Sequence, residues 1–152
     1  MRAYAGRMSD EGNGAPVSTA TLDRRHGERF QTLRRELGAE SLGINLVVLR
    51  GGERGRIHAH EHQEEVYLVL EGELTLGVEG VEHVLGPDRL ARVAARIRHQ
   101  LVNAGSEPLV LLALGGTGKH VGRDGVAWES WDEPGPGRPP LEVPLPENLP
   151  RV

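Results

Sequence analysis

The sequence predicts a single all-β domain, an antiparallel barrel or sandwich closed by short turns. Three observations predict it. From Leu42 onward, seven short runs rich in Val, Leu and Ile follow one another, separated by Gly, Pro or charged residues, at the roughly 8–12-residue spacing of such folds. No helical segment alternates with these runs, which argues against a doubly wound α/β fold. The chain has 152 residues and no cysteine, and one domain of that length buries roughly 68–70% of its unfolded surface without crosslinks.

Each element has its own signal. Gly, Ser, Asn and Asp dominate residues 1–20, which read as a disordered leader. In TLDRRHGERFQTLRREL, Phe30, Leu33 and Leu37 recur at helical spacing. A short amphipathic helix ended by Gly38 is expected, with His26 and the arginines around it on the solvated face. The strand runs are LGINLVVL, EEVYLVL, ELTLGVE, VEHVL, LARVA, HQLVN and PLVLLAL. Turns are expected at Gly51-Gly52, Glu71-Gly72, Glu79-Gly80, Gly86-Pro87 and Ala104-Gly105, and Glu79-Gly80 is the best hairpin signal. Residues 21–122 then form the barrel with its preceding helix, the barrel core being 42–114. Residues 123–152 form a Pro-rich arm, because seven of the ten prolines lie between Pro134 and Pro150. Such a segment is neither a central strand nor a long helix. Yet Trp128, Trp131, Leu141, Val143, Leu145 and Leu149 make it too apolar for a plain linker. It is expected to lie over the barrel or over a partner subunit.

Composition excludes several function classes. The absence of cysteine removes zinc-thiolate and iron–sulfur sites and a cysteine nucleophile. Eighteen basic against 22 acidic residues give a net charge of −4, with no basic footprint for nucleic acid. The apolar run from Pro108 to Leu114 is too short to span a bilayer, and the N-terminus lacks the apolar stretch of a secretory signal. The expected setting is cytoplasmic, with a small-molecule ligand and neither nucleic acid nor membrane as partner.

The chemistry concentrates in two windows. In IHAHEHQEEVYLVLEG, His58 and His60 are two apart, so in a strand both imidazoles point to one face. Glu65 follows on the returning strand and shares a face with Tyr67 and Val69. His99 begins another strand, HQLVN. Two histidines from one strand, a carboxylate from its hairpin partner and a histidine from a third can surround one cation inside a small barrel. Neutral imidazoles and a carboxylate suit a borderline divalent metal. Glu64 stays an alternative carboxylate. His62 reads as a rim residue, and His83 and His120 have no partner at ligand spacing. Asn45 interrupts an apolar strand, and Leu101 shares a face with His99. Arg96 and Arg98 have the opposite parity and face outward if that segment is extended.

These residues resemble the cupin superfamily, in particular its small single-domain members. The first motif of that family is Gly, five residues, His, one residue, His, three or four residues, Glu, six residues, Gly. Gly52, His58, His60, Glu65 and Gly72 match every spacing. The second motif ends in His, three residues, Asn, matched by His99 and Asn103. The resemblance covers roughly Leu42 to Leu114. It implies a jelly-roll-like barrel with one divalent transition metal (Mn, Fe, Ni, Cu or Zn) held by His58, His60, Glu65 and His99. It also implies a homodimer, since related barrels often pair. The second motif departs from the family: Asp88 and Arg96 stand where it has Gly, and Ala94 where it has Pro. Gly permits positive φ and Pro fixes φ, so the turn that delivers His99 is altered. A three-ligand or metal-free barrel therefore stays open.

The resemblance narrows fold more than activity. It implies a metal-dependent enzyme on a small molecule, of dioxygenase or isomerase/lyase type, or alternatively a non-enzymatic binding or sensing protein. No further Asp, Glu or Lys clearly falls on an inward face, so no general base is named.

Overall fold

The computed structural model describes residues 16–116 and 123–150. His120 and most of the expected leader lie outside the described residues. Two five-stranded antiparallel sheets face each other. The first is built from β1 (Phe30–Gln31), β2 (Gly43–Leu49), β4 (Glu64–Glu71), β7 (Leu90–Val93) and β9 (Leu109–Gly116), in the order β1-β2-β9-β4-β7. The second holds β3 (Ile57–His60), β5 (Leu74–Val78), β6 (Val81–Leu85), β8 (His99–Val102) and β10 (Gly125–Trp128), in the order β10-β3-β8-β5-β6. All seven apolar runs became strands, and the barrel is jelly-roll-like.

Period-2 alternation explains how the core fills. Val47, Leu49, Tyr67, Val69, Leu109 and Leu111 project inward from the first sheet and meet Leu74, Leu76 and Leu101 from the second. The intervening positions of β2 and β9 are also covered. Leu46, Val48 and Val110 pack outside the sheet against Leu33, which lies on α1 (Leu33–Leu37). Strands buried on both faces read as continuous apolar runs, which is why LVVL and LVLLAL stood out. Burial of Leu33 alone is worth about 1.5–3 kcal/mol.

The helix is shorter than its periodicity suggested. Only Leu33–Leu37 is helical, ended as expected by Gly38 in the left-handed conformation at φ 64°. Phe30 does not belong to it. Phe30 and Gln31 pair instead with Val47 and Leu46, because the open edge of β2 offers backbone partners that outweigh a weak helical propensity. Arg29, expected on a solvated face, is half-buried. Its guanidinium donates to the Arg54 carbonyl at 2.6 Å and lies 3.6 Å from Glu53.

The Glu79-Gly80 hairpin joins β5 and β6, with both turn residues at positive φ (47° and 86°) as a type I′ turn requires. Gly72, at φ 76°, is required twice over: a Cβ there would lie 2.5 Å from the Pro108 carbonyl oxygen.

The Pro-rich arm lies over the barrel of its own chain. It begins as β10, an edge strand paired with β3 from Gly125↔His60 to Trp128↔Ile57. Beyond a 3-10 turn at Pro140–Glu142, Val143 is only 1% exposed. Leu149 then donates its backbone N–H to Gly52 at 2.8 Å. Arg54 donates twice to the Glu147 carbonyl (2.9 and 2.6 Å) and Arg56 once to that of Val143 (2.6 Å). Among the described residues, no helix is long and apolar enough to cross a membrane.

Candidate metal centre

β3 and β8 are neighbours, and His58 pairs directly with His99 across them. Both rings point into the barrel, where Glu65 arrives from β4 on the facing sheet. Each of these three residues offers a ligand atom, and the three atoms lie within 4.8 Å of one another. Glu65 Oε2 is 3.4 Å from His58 Nε2 and 3.2 Å from His99 Nε2. The fourth expected residue, His60, stands apart from that trio and joins it through Glu65, with Nε2 3.1 Å from Oε1. Its Nδ1 is buried without a hydrogen-bond partner.

The backbone sets the tautomers. His58 Nδ1 faces the Arg56 carbonyl at 3.1 Å, and His99 Nδ1 faces that of Ile97 at 2.9 Å. Each carbonyl accepts the Nδ1 proton, which leaves the Nε2 lone pairs aimed at a carboxylate. Three acceptors thus converge on one buried point, and such a group needs a cation or additional protons between its members. This donor set fits a divalent metal.

Tyr67 completes the floor. It is 1% exposed, its hydroxyl donates to Glu65, and its oxygen lies 2.7 Å from His99 Nε2. Burial and the adjacent Glu65 charge push the phenol well above its usual range, so it stays protonated. Burial opposes the charge on Glu65, yet contacts from His58, His60 and His99 outweigh it and hold the carboxyl well below the usual carboxylate range. Burial pushes His99 down, against the Glu65 hydrogen bond, which favours the neutral ring. Burial also works to lower His60, but Glu65 and the Asp124 charge carry it upward.

The remaining candidates separate cleanly. Glu64 points out of the barrel and pairs with Arg92, because neighbouring strand residues face opposite sides. His62 is a rim residue with a side chain 64% exposed, and His83 is exposed on β6. Asn103 is structural. Its Nδ2 donates to the carbonyls of Leu49 and Glu107, and its Oδ1 accepts from Gly105. Arg98 lies outside the barrel, 3.9 Å above the Trp128 ring, and donates to the carbonyls of Glu133 and Gly135.

The altered second motif has left-handed backbone in the turns on both sides of β7. Asp88 and Arg96, which replace glycines, both adopt positive φ (65° and 68°). Arg96 thereby directs its N–H to the His60 carbonyl at 2.7 Å, tying the approach to His99 to the histidine strand.

Two contributors were missed. Asp124 secures the turn after β3: its Oδ2 accepts the N–H groups of His62 and Gln63 (2.9 and 3.0 Å), and its Oδ1 lies 2.7 Å from His62 Nδ1. No local signal reveals a partner 62 residues away. Arg56 does carry a signal, since it lies two before His58 and four before His60 and shares their face.

A cavity of about 180 Å³ opens above the cluster, walled by Val47, Leu49, Leu101 and Ala113, with Asn45 at its side. Phe30, Pro140 and Leu145 form its mouth, and Arg29 and Arg56 line it.

The family model for the cupin domain matches residues 45–115, the span of these strands. The barrel has the cupin fold. Among solved cupins, a sugar phosphate isomerase of the superfamily from Silicibacter pomeroyi is 28% identical, over 66% of this chain and 69% of that one, with a TM-score of 0.55. A cupin protein from Bacteroides fragilis shares the fold at 17% identity and a TM-score of 0.60, over 68% of this chain and 86% of its own. The polyketide synthase CurC of Streptomyces cyaneus is 32% identical over 87 residues, which are 56% of each chain. The chain thus spans little more than half the length of that curated relative.

Proposed function

We propose that this cupin is a metal-dependent enzyme acting on a small molecule bound in the cavity above the cluster. One observation carries the reading: the Nε2 lone pairs of His58 and His99 converge with a Glu65 oxygen while both Nδ1 atoms are engaged by backbone carbonyls. His58, Glu65 and His99 are the proposed ligands, with His60 as the fourth. A divalent metal held there supplies a Lewis acid to a substrate oxygen or, as iron, a centre that activates dioxygen. The protein's own share is to hold the ligands, to offer the Tyr67 hydroxyl as a hydrogen-bond donor, and to exclude water with an apolar wall.

Among the described residues, no carboxylate other than Glu65 and no lysine lines the cavity. That favours oxygenase chemistry over a proton-shuttling isomerisation, whereas the isomerase from Silicibacter pomeroyi supports the isomerase/lyase branch. The same lack of a separate base favours a second reading, a non-enzymatic cupin that holds a small ligand.

Plasma mass spectrometry of untagged protein purified without chelator tests the proposal, with wild type beside His60→Ala and His99→Ala. Near-stoichiometric metal that is lost in both variants is the expected result, and its identity selects the assay, oxygen uptake for iron. A barrel that takes up no metal after reconstitution overturns the enzyme reading in favour of the second one.

A further inference from the structure

Arg56 precedes His58 by two residues and His60 by four, so the three side chains share the inward face of one extended segment. All three line the same cavity. The Arg56 Nε is used, donating to the Val143 carbonyl of the arm at 2.6 Å. Its two terminal nitrogens have no hydrogen-bond or ion-pair partner among the described residues. The other cation of the cavity, Arg29, is already engaged by Glu53 and the Arg54 carbonyl. Glu65, the one carboxylate among the described residues that line the cavity, is taken up by the histidines. A half-buried guanidinium with an anchored stem and a free fork is preorganised for a planar anion.

We infer that Arg56 determines the cavity's specificity by recognising the carboxylate of a small organic acid whose apolar body lies against Val47, Leu49 and Leu101. The assignment rests on the proposed function in taking this cavity as the substrate site, but it does not require the metal. Strand geometry puts the Arg56 Cα about 7 Å from that of His58, so one small molecule reaches both the guanidinium and the cluster. The wall argues against a sugar phosphate. Its hydroxyls would be buried against aliphatic side chains, where Asn45 is, among the described lining residues, the one uncharged polar side chain outside the histidine–Glu65–Tyr67 cluster.

Calorimetric titration of benzoate, with benzamide as its neutral isostere and glucose 6-phosphate as the sugar phosphate, tests the inference. The full chain is used as wild type, Arg56→Met and Arg56→Lys, each both metal-loaded and chelator-stripped. Benzoate is expected to bind wild type at least tenfold more tightly than benzamide. Arg56→Met should lose that preference while binding benzamide as wild type does, which reports an intact cavity; Arg56→Lys should keep part of it. Equal benzoate affinity in wild type and Arg56→Met overturns the inference, as does no measurable benzoate binding or tighter binding of glucose 6-phosphate. Preference for benzoate in the stripped protein keeps this outcome separate from a failure of the metal reading.

Discussion

His58 and His99 stand directly opposite each other on β3 and β8, ring centroids 4.2 Å apart, and each gives its Nδ1 proton to the carbonyl two residues earlier in its own chain segment. The same local device repeats on two strands about 40 residues apart in sequence. Each ring is fixed by its own backbone before any ligand arrives, and the register of the two strands brings the free Nε2 atoms together. Glu65 then has to come from the other sheet, so the cluster forms only when the barrel closes.

A ligand set that exists only in the folded barrel couples metal binding to stability. Metal at one hundred times its Kd should stabilise wild type by about 2.7 kcal/mol. His99→Ala should abolish that gain, because His58 and Glu65, with His60 held apart on Glu65 Oε1, no longer enclose the ion. Urea denaturation with and without zinc or manganese measures it. An equal gain in wild type and His99→Ala would place the metal elsewhere.

Tyr67 acts on the same atoms from behind, through Glu65 and His99. Tyr67→Phe keeps the ring that fills the core but removes the hydroxyl, and loss of such a supporting group typically costs 10–100-fold in metal affinity. Competition against a chromophoric chelator reads the change. Unchanged affinity would reduce Tyr67 to a packing residue.

The turn before His99 makes a conformational prediction. Arg96 holds φ 68° without being glycine, and the left-handed region costs an L-residue roughly 1–2 kcal/mol. Arg96→Gly relieves this strain but gains freedom in the unfolded chain, so stability should stay level or rise by up to about 1 kcal/mol. Arg96→Val, β-branched, should lose about 1–3 kcal/mol. Denaturant midpoints decide between them.

Seven of the strands were legible because Val- and Leu-rich runs alternate with Gly, Pro or charged punctuation, and the Glu79-Gly80 hairpin because its dipeptide needs two positive φ values. Phe30 was misplaced for a physical reason: two residues of edge strand carry no period, and Leu33 and Leu37 lent it theirs. The His58, His60 and Glu65 spacings are local and could be read directly. What the turns at Asp88 and Arg96 would do was not readable, since the absence of glycine says nothing about whether other residues adopt positive φ. Asp124 was hidden because only the pairing of β10 with β3 carries it to the turn it secures.

Asp124 also sets an expected pH dependence. Burial would raise its pKa, but hydrogen bonds from His62 and Gln63 outweigh burial and lower it below the ordinary 3.8. A carboxyl lowered on folding stabilises the protein fully above its unfolded value, and this contribution disappears as pH falls through the folded one. Asp124→Ala leaves the His62 and Gln63 N–H groups without their acceptor, and should cost about 1–3 kcal/mol at pH 7. The gap between wild type and variant should stay constant down to about pH 5 and narrow as the pH falls further below the ordinary Asp value. Stability measured from pH 3 to pH 7 tests the sign. A gap that widens in acid would mean that Asp124 is protonated more readily in the folded protein than in the unfolded chain.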